Sequence, residues 1–310
     1  MKPSRQRAFH LPGFLALALC SLTCSTALLA DLNTGLVAWY PFDGNASDMS
    51  GNGHHGTLQN GVALGSDRHG AASKAYNFDG VNDHISLPVG SGLNTNSTDL
   101  TFSLWLYLRS TADQEIIDQG SGAGQGRSVL YVRSGGSYRS NLSSIDKTAD
   151  STLATNAWRH LVATYDITGS DATVSLFLDG TPDGSKTKSG LESSSQNFIF
   201  GKDSTGTNFV NGSIDDVRIY DRALSAAEVT QLYHLERPGA ALTDANFTTA
   251  VNLWFSDEAA ATSTYGHISN WDVSNVTNMA YAFQNKASFN EDISRWNVDN
   301  VTNMAAMFHY

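Results

Sequence analysis

The chain has 310 residues, a formal net charge of −11 and only 16% charged residues, with 27 glycines. This length has room for two domains, and the negative charge excludes nucleic acid and anionic membrane as partners, since both call for cationic surface. Many glycines, few charges and little helical periodicity point to short strands separated by turns.

Residues 1–30 begin with the cations Lys2, Arg5 and Arg7 and continue as an apolar run from Phe14 to Leu29 with small residues near its end. This reads as a secretory signal, with cleavage expected between Ala27 and Asp31. An uncleaved anchor is the alternative, although the run is short for a membrane span. Both cysteines, Cys20 and Cys24, fall inside it, so no disulfide is expected in the exported chain. Losing three cations takes the charge from −11 to −14. That surplus of carboxylates suits calcium.

Leu36 to Gly44 is an apolar strand that stops at Asp-Gly, and Asn45 to Gly56 is a loop rich in glycine and Asx residues. Tyr76 to Leu87 supplies further strand. Leu100, Phe102, Leu104, Leu106 and Leu108 alternate with Thr101, Ser103, Trp105 and Tyr107, and bulk on both faces suggests a central strand of a sandwich. Ile116-Ile117 and Val129 to Val132 are short strands. Between them Gly120 to Gly126 lacks the Lys-Ser/Thr and the helix that a phosphate loop needs. Trp158 to Asp166 and Thr173 to Gly180 read as antiparallel neighbours, the second ending on the Asp-Gly of a tight turn. Phe198 to Gly201 precedes a closing strand, Gly212 to Tyr220. Strict alternation there puts Asp215, Val217 and Ile219 on one face and Ile214, Asp216, Arg218 and Tyr220 on the other. Ser225-Ala-Ala-Glu228 is a capping box, opening a helix with Leu224, Val229, Leu232 and Tyr233 on one stripe.

Ile214-Asp-Asp-Val-Arg-Ile-Tyr-Asp-Arg-Ala-Leu-Ser225 resembles the last strand and closing helix of laminin-G-like jelly rolls, the concanavalin A-like lectin/glucanase fold. The Trp39-Tyr-Pro-Phe-Asp-Gly44 and Phe78-Asp-Gly-Val-Asn-Asp83 phrases resemble the same family, with His84 in place of an aromatic. The resemblance implies a mostly β, two-sheet antiparallel jelly-roll sandwich with one closing helix over residues 31–236.

Residues 237–246 have the composition of a linker. Beyond them Ile268 to Met279 returns as Ile293 to Met304 with an offset of 25, and Phe283 returns as Phe308. The pattern resembles the leucine-rich-like repeats of BspA-type bacterial surface proteins, with 247–266 as a lead-in. It implies a short repeat solenoid over 247–310. So short a stack falls below the ~3 repeats such architectures need, and a continuation in the natural protein is expected. Trp271 and Trp296, Val273 and Val298, and Met279 and Met304 are read as stacked core, leaving Asp272 and Asn297 as contact surface.

Asp43, Asn45 and Asp48 sit in the first loop at spacings able to converge on a hard divalent cation, and the resemblance adds Asp215. These four are the expected calcium ligands. The alternative makes Asp43 and Asp48 turn formers and leaves Asp215 to backbone amides. For a sugar, Trp105, Tyr107, Tyr131 and Tyr138 are the candidate flat surfaces, with burial in the core as the competing account. No Glu-x-Asp-x-x-Glu set, Gly-x-Ser-x-Gly or His-Glu-x-x-His is present, so no enzyme activity is expected.

The sequence therefore leads to an exported, secreted or cell-surface bacterial adhesion protein, binding carbohydrate or an extracellular protein with calcium and spanning no membrane once mature. The alternatives are an accessory module of a polysaccharide-degrading enzyme and a structural envelope spacer.

Overall fold

The computed structural model describes residues 32–88, 98–119, 127–142, 144–190 and 197–309. The segment read as a signal, with Cys20 and Cys24, and the glycine-rich 120–126 lie outside them. In chain order the strands are β1 (Leu36–Tyr40), β2 (Thr57–Gln59), β3 (Ala63–Gly65), β4 (Ala75–Asp79), β5 (His84–Ser86), β6 (Leu100–Leu108), β7 (Gln114–Gln119) and β8 (Arg127–Arg133). They continue as β9 (Ser137–Leu142), β10 (Ile145–Thr152), β11 (Trp158–Thr168), β12 (Asp171–Leu178), β13 (Thr181–Ser189), β14 (Phe198–Phe200) and β15 (Asn211–Tyr220). Helix α1 (Ala226–Glu236), strand β16 (Ala241–Thr243), helices α2 (Phe247–Ser256) and α3 (Glu258–Tyr265), and strand β17 (Asp272–Asn275) complete the chain.

Two antiparallel sheets form a sandwich. One runs β13-β12-β11-β6-β15-β4-β3, with β1 also on β15, and the other β10-β9-β8-β7-β14-β5-β2. The alternation of β6 is kept: Leu100, Phe102, Leu104, Leu106 and Leu108 enter the core between the sheets. Thr101, Ser103 and Trp105 on its other face are buried as well, because α1 covers the back of the first sheet. There Val229 and Leu232 pack with Val162, Phe177, Tyr220 and Leu224. Burying each such aliphatic side chain stabilises the fold by roughly 1.5–3 kcal/mol. The expected cap is present, with Ser225 Oγ accepting from Glu228 N–H and Glu228 accepting from Ser225 N–H. Strands β11 and β12 pair over their length, from Leu161 with Leu178 to Thr168 with Asp171.

Strand β15 departs from the alternation read in the sequence. Its register against β6 slips between Asp215 and Arg218, and Asp216 takes φ 46°. This is a β-bulge, in which one extra residue on one strand resets the facing. Ile214, Val217 and Ile219 therefore all enter the core, although alternation had separated Ile214 from the other two. The bulge sits where the outer edge of β15 passes from β4, paired up to Ile214, to β1, paired from Val217.

The stretch expected as a linker is structured. Ala241–Thr243 pairs in parallel with Asp272–Asn275, and Gly239 N–H donates to Asn270 O at 3.0 Å. A Cβ on Gly239 would lie 2.1 Å from that oxygen, so only glycine passes there. From here the chain builds its second core, with Phe247, Val251, Trp254, Trp271, Val273, Met279, Phe283 and Trp296. Two coils with the 25-residue offset stack in register: Trp271 lies on Trp296 and Phe283 on Phe308, with centroids 6.2 and 5.2 Å apart.

Candidate functional site

The bulge determines what stands behind the first sheet. It turns Asp215 and Asp216 toward the same guanidinium, that of Arg68 from the β3–β4 loop, at 2.5 Å from Nη1 and 2.7 Å from Nη2. Arg68 Nε donates to Glu236 O at 2.6 Å, tying the loop to the end of α1. Trp39 Nε1 donates to Asp216 Oδ1 at 2.7 Å, and Trp105 Nε1 to Glu236 Oε2 at 3.1 Å. Arg218 Nε lies 2.7 Å from Glu236 Oε1. Burial pushes the Asp215 carboxyl well above the usual range, an effect Arg68 only partly offsets. At Asp216 burial acts the same way, but Arg68 and Arg218 together prevail and hold it at about 2. Burial, with Asp216 adding repulsion, raises Glu236 to about 7. The asymmetry follows from two cations serving three carboxylates.

Within the same cluster Ser103 Oγ lies 2.8 Å from His160 Nε2, and Glu236 Oε2 is 3.6 Å from that nitrogen. The trio has the composition of a nucleophile, base and orienting acid. Its geometry differs, since serine and glutamate share one ring nitrogen and, among the described residues, none holds the base from Nδ1 as a triad requires. His160 is fully buried, and burial holds its pKa down at about 3. The three residues are part of the packing behind the sheet.

In front of this cluster a cleft of about 380 Å3 opens between the sandwich and the coil region. Its floor is Arg68, Asp215 and Asp216; its walls include Trp39, Pro41, Asp43, Asn45, Met49, Asp67 and Lys74, and Arg295 from the second coil. Arg295 reaches Asp67 at 3.3 Å and Asp43 at 3.6 Å. Asp43 also pairs with Lys74 at 3.2 Å. Sequence reasoning missed Arg68 and Arg295 altogether. Arg68 lies in an irregular loop with no motif, and Arg295 stands where the first coil has Asn270, which was the one available signal.

Of the four expected calcium ligands, Asp43, Asn45 and Asp215 do line one cleft. Their oxygens are already engaged. Asp215 faces Arg68, Asp43 faces Lys74 and Arg295, and Asn45 Oδ1 accepts from Ser47 N–H. Asp48 turns inward, accepting from the N–H groups of Trp39, Ser50 and His54 at 2.9–3.0 Å; against its burial these amides hold its pKa below the usual value. Among the described residues no three His, Cys, Asp or Glu side chains are gathered to hold a metal ion. The arrangement does not fit calcium, because guanidinium and ammonium groups occupy the positions a cation would take.

The four aromatic candidates do not form one platform. Trp105 is buried against Tyr233, centroids 5.8 Å apart, with the Arg68 guanidinium 5.1 Å from its ring centre. Tyr138 is a core residue whose hydroxyl donates to Asp183. Tyr131, on the second sheet, is covered by Arg133 at 4.2 Å and bonded to Asp146. Tyr107 alone is half-exposed, beside Trp158 at 5.6 Å. Trp105 and Tyr138 are core, as the competing account held, because the back of the sheet and the sandwich interior are both filled.

Two family models match the chain. Residues 79–230 match one described as the concanavalin A-like lectin/glucanases superfamily, and residues 249–310 match one described as a Mycoplasma protein of unknown function, DUF285. No curated protein matches the sequence. The solved structures similar to this chain include the binding domain of Paraclostridial Mosquitocidal Protein 1, 20% identical with a TM-score of 0.51, the match covering 65% of this chain and 52% of that one. The Botulinum neurotoxin serotype D binding domain is 16% identical with a TM-score of 0.52, covering 69% and 54%. Domain 4 of AbnA, an extracellular arabinanase from Geobacillus stearothermophilus, in complex with arabinotriose, gives 22% and 0.49, covering 64% and 98%. The match thus spans about half the length of the toxin binding domains. Among the described residues no helix is long and apolar enough to cross a membrane. The sandwich thus carries the concanavalin A-like lectin/glucanase match over residues 79–230, and the coil region the DUF285 match over residues 249–310.

Proposed function

We propose that the protein is a non-catalytic, exported binding module that takes a carbohydrate in the cleft between the jelly roll and the coil region. The observation that carries this reading is the composition of the cleft wall. Trp39, Pro41 and Met49 offer a small apolar ledge, and Asn45, Asp43, Lys74 and Arg295 surround it with planar acceptors and fixed donors. A pyranose has the complementary surface, an apolar ring face edged by hydroxyls. At about 380 Å3 the cleft belongs to the small-ligand class of ~300–1,000 Å3, which favours a sugar over a protein surface. The binding domains that share this fold at low identity are compatible with such a role, though a fold does not assign a function.

The reading contains no hydrolysis. Two free carboxylates at a fixed separation are what glycoside cleavage needs, and each cleft carboxylate is paired with a cation or an amide. It also contains no calcium, since Arg68, Lys74 and Arg295 already neutralise the cleft carboxylates. A glycan array run beside an extracellular-protein panel, with and without chelator, is the test. Saturable glycan binding, insensitive to chelator and weakened about tenfold or more by Lys74→Ala together with Asn45→Ala, is expected. Binding to no glycan would overturn the reading, and binding lost on chelation would restore calcium to it.

A further inference from the structure

The space between the sandwich and the coils does not end at Arg295. A second hollow, of about 370 Å3, adjoins the cleft, and both spaces are lined by Arg68 and Arg295. Arg68 is buried, whereas Arg295 stands 39% exposed. The way from one space to the other therefore runs over the Arg295 side chain.

The hollow takes much of its wall from the coils. Asp272 and Asn297, expected from the sequence as contact surface, hold equivalent places 25 residues apart and both line it. Each makes the same local turn, Asp272 Oδ1 accepting from Ser274 N–H and Asn297 Oδ1 from Asp299 N–H, both at 3.0 Å. Asp272 Oδ2 and Asn297 Nδ2 then take no hydrogen bond among the described residues. Asn270 is held in place by its Nδ2, which donates to Leu235 O at 2.7 Å, and by its own carbonyl, which accepts from Gly239 N–H. Its Oδ1 is likewise unused among the described residues. Pro238 adds an exposed apolar rim.

Charge in the hollow is already settled. Arg68 is paired with Asp215 and Asp216, and Arg295 with Asp67 and Asp43. His69 lines the same space, and burial with the two nearby guanidiniums holds it neutral. An anion entering here would meet the Asp272 carboxylate, and a cation would meet two arginines. What remains is two acceptors and one donor beside an apolar rim. A hydroxyl both donates and accepts, so it satisfies either kind.

We propose that the ligand is a neutral oligosaccharide of two or more units, seated on the Trp39, Pro41 and Met49 ledge of the cleft and continuing over Arg295 into the hollow lined by Asn270, Asp272 and Asn297. This rests on the carbohydrate reading of the cleft and extends it. A unit joined to one already in the cleft reaches the hollow at high effective concentration, and walls fixed by the fold spare it the cost of ordering them.

The test titrates the full chain with homo-oligomers of glucose, xylose, arabinose, mannose and galactose from one to six units long, with oligogalacturonate as the acidic probe. Two added hydrogen bonds of ordinary strength correspond to about tenfold in affinity or more. The dissociation constant should fall by at least that factor between one unit and the length that spans both spaces, and then level off. Asp272→Ala together with Asn297→Ala, both at exposed positions outside the cleft, should flatten this dependence on length, whereas Asn45→Ala with Lys74→Ala should weaken every length. Equal affinity for one unit and for longer chains would overturn the proposal and leave a sugar in the cleft. So would a length dependence that survives the Asp272 and Asn297 substitutions, or a preference for oligogalacturonate. Binding of none of the probes would remove the carbohydrate reading and this proposal with it.

Discussion

In the sandwich, the irregularity at Asp215 and Asp216 is met by Arg68, Arg218 and Trp39, with Arg68 in turn tied to the end of α1. In the coil region, the outermost turn repeats the residues of the one beneath it and leaves Met304 and Phe308 half in solvent. The first region is specified by a buried charge cluster that exists once; the second is specified by translation, each coil serving as template for the next. Disruption should therefore be severe and local to one guanidinium in the sandwich, and graded by position along the stack in the coils.

The largest effect is expected from Arg68→Ala. Removing one partner of a buried ion pair costs about 3–5 kcal/mol, because the remaining charge has no water to turn to, and here Asp215 loses Arg68 while Asp216 keeps only Arg218 at 3.8 Å and the Trp39 indole. Urea unfolding should show a loss of that order. A loss below about 1 kcal/mol would mean that solvent enters the cluster and that the sandwich is not organised around it.

The coil counterpart is Phe283→Ala against Phe308→Ala. Phe283 is fully buried, and emptying such a site costs about 3–5 kcal/mol; Phe308, 44% exposed, should cost under about 1 kcal/mol. Equal losses from the two substitutions would show that the outer coil is covered in solution.

These two regions were unequally legible in the sequence. The repeat offset gave Trp271 over Trp296 and Phe283 over Phe308 directly, because translation along a stack preserves residue type. The inward residues of β6 and the capping box at Ser225 were equally open, since each follows from local periodicity or a three-residue signal. The bulge in β15 was not. A single residue at positive φ leaves no mark when that residue is aspartate, and the slip reversed the facing of Ile214 and Asp215 relative to Val217 and Ile219. With it went the assignment of Asp215 to calcium, whose expected place is filled by an arginine 147 residues away in sequence. Trp105 and Tyr138 failed as sugar platforms for a related reason, since α1 and the second sheet cover faces that no one-dimensional pattern distinguishes.

A smaller and pH-dependent effect separates the members of the cluster. Glu236 titrates at about 7 in the folded chain against an ordinary 4.5, so its stabilising contribution is complete below pH 4.5 and is lost as pH rises through 7. His160, held at about 3 against 6.5, and His69, likewise at about 3, act in the opposite sense. Their contribution is present above pH 6.5 and is lost as pH falls toward 3. Between pH 4.5 and 6.5 the two trends oppose each other. Asp215, also raised by burial, acts in the same sense as Glu236 and stays in place, so Glu236→Gln weakens the falling trend without abolishing it, and the stability of the variant should rise more steeply with pH across that window than that of the parent. Parallel urea midpoints for the two proteins from pH 4.5 to 7.5 would count against a proton held at Glu236.

The smallest stability effect is expected where the two regions meet. Arg295 is 39% exposed, its pairs with Asp67 and Asp43 are 3.3 and 3.6 Å long, and the buried Asp67 also accepts from the His69 and Ala71 amides; half-exposed pairs of this kind are worth about 0–1 kcal/mol and weaken with salt. Arg295→Ala should therefore leave the urea midpoint nearly unchanged. Among the described residues the same side chain is the only cleft wall contributed by the coils, and a wall need not be strong to be selective. If the cleft holds the sugar, glycan affinity in Arg295→Ala should fall well beyond what the stability change accounts for, and should do so at high as well as low salt. Affinity that tracks stability alone would instead place the ligand away from the joint and leave Arg295 as no more than a weak tie between the regions.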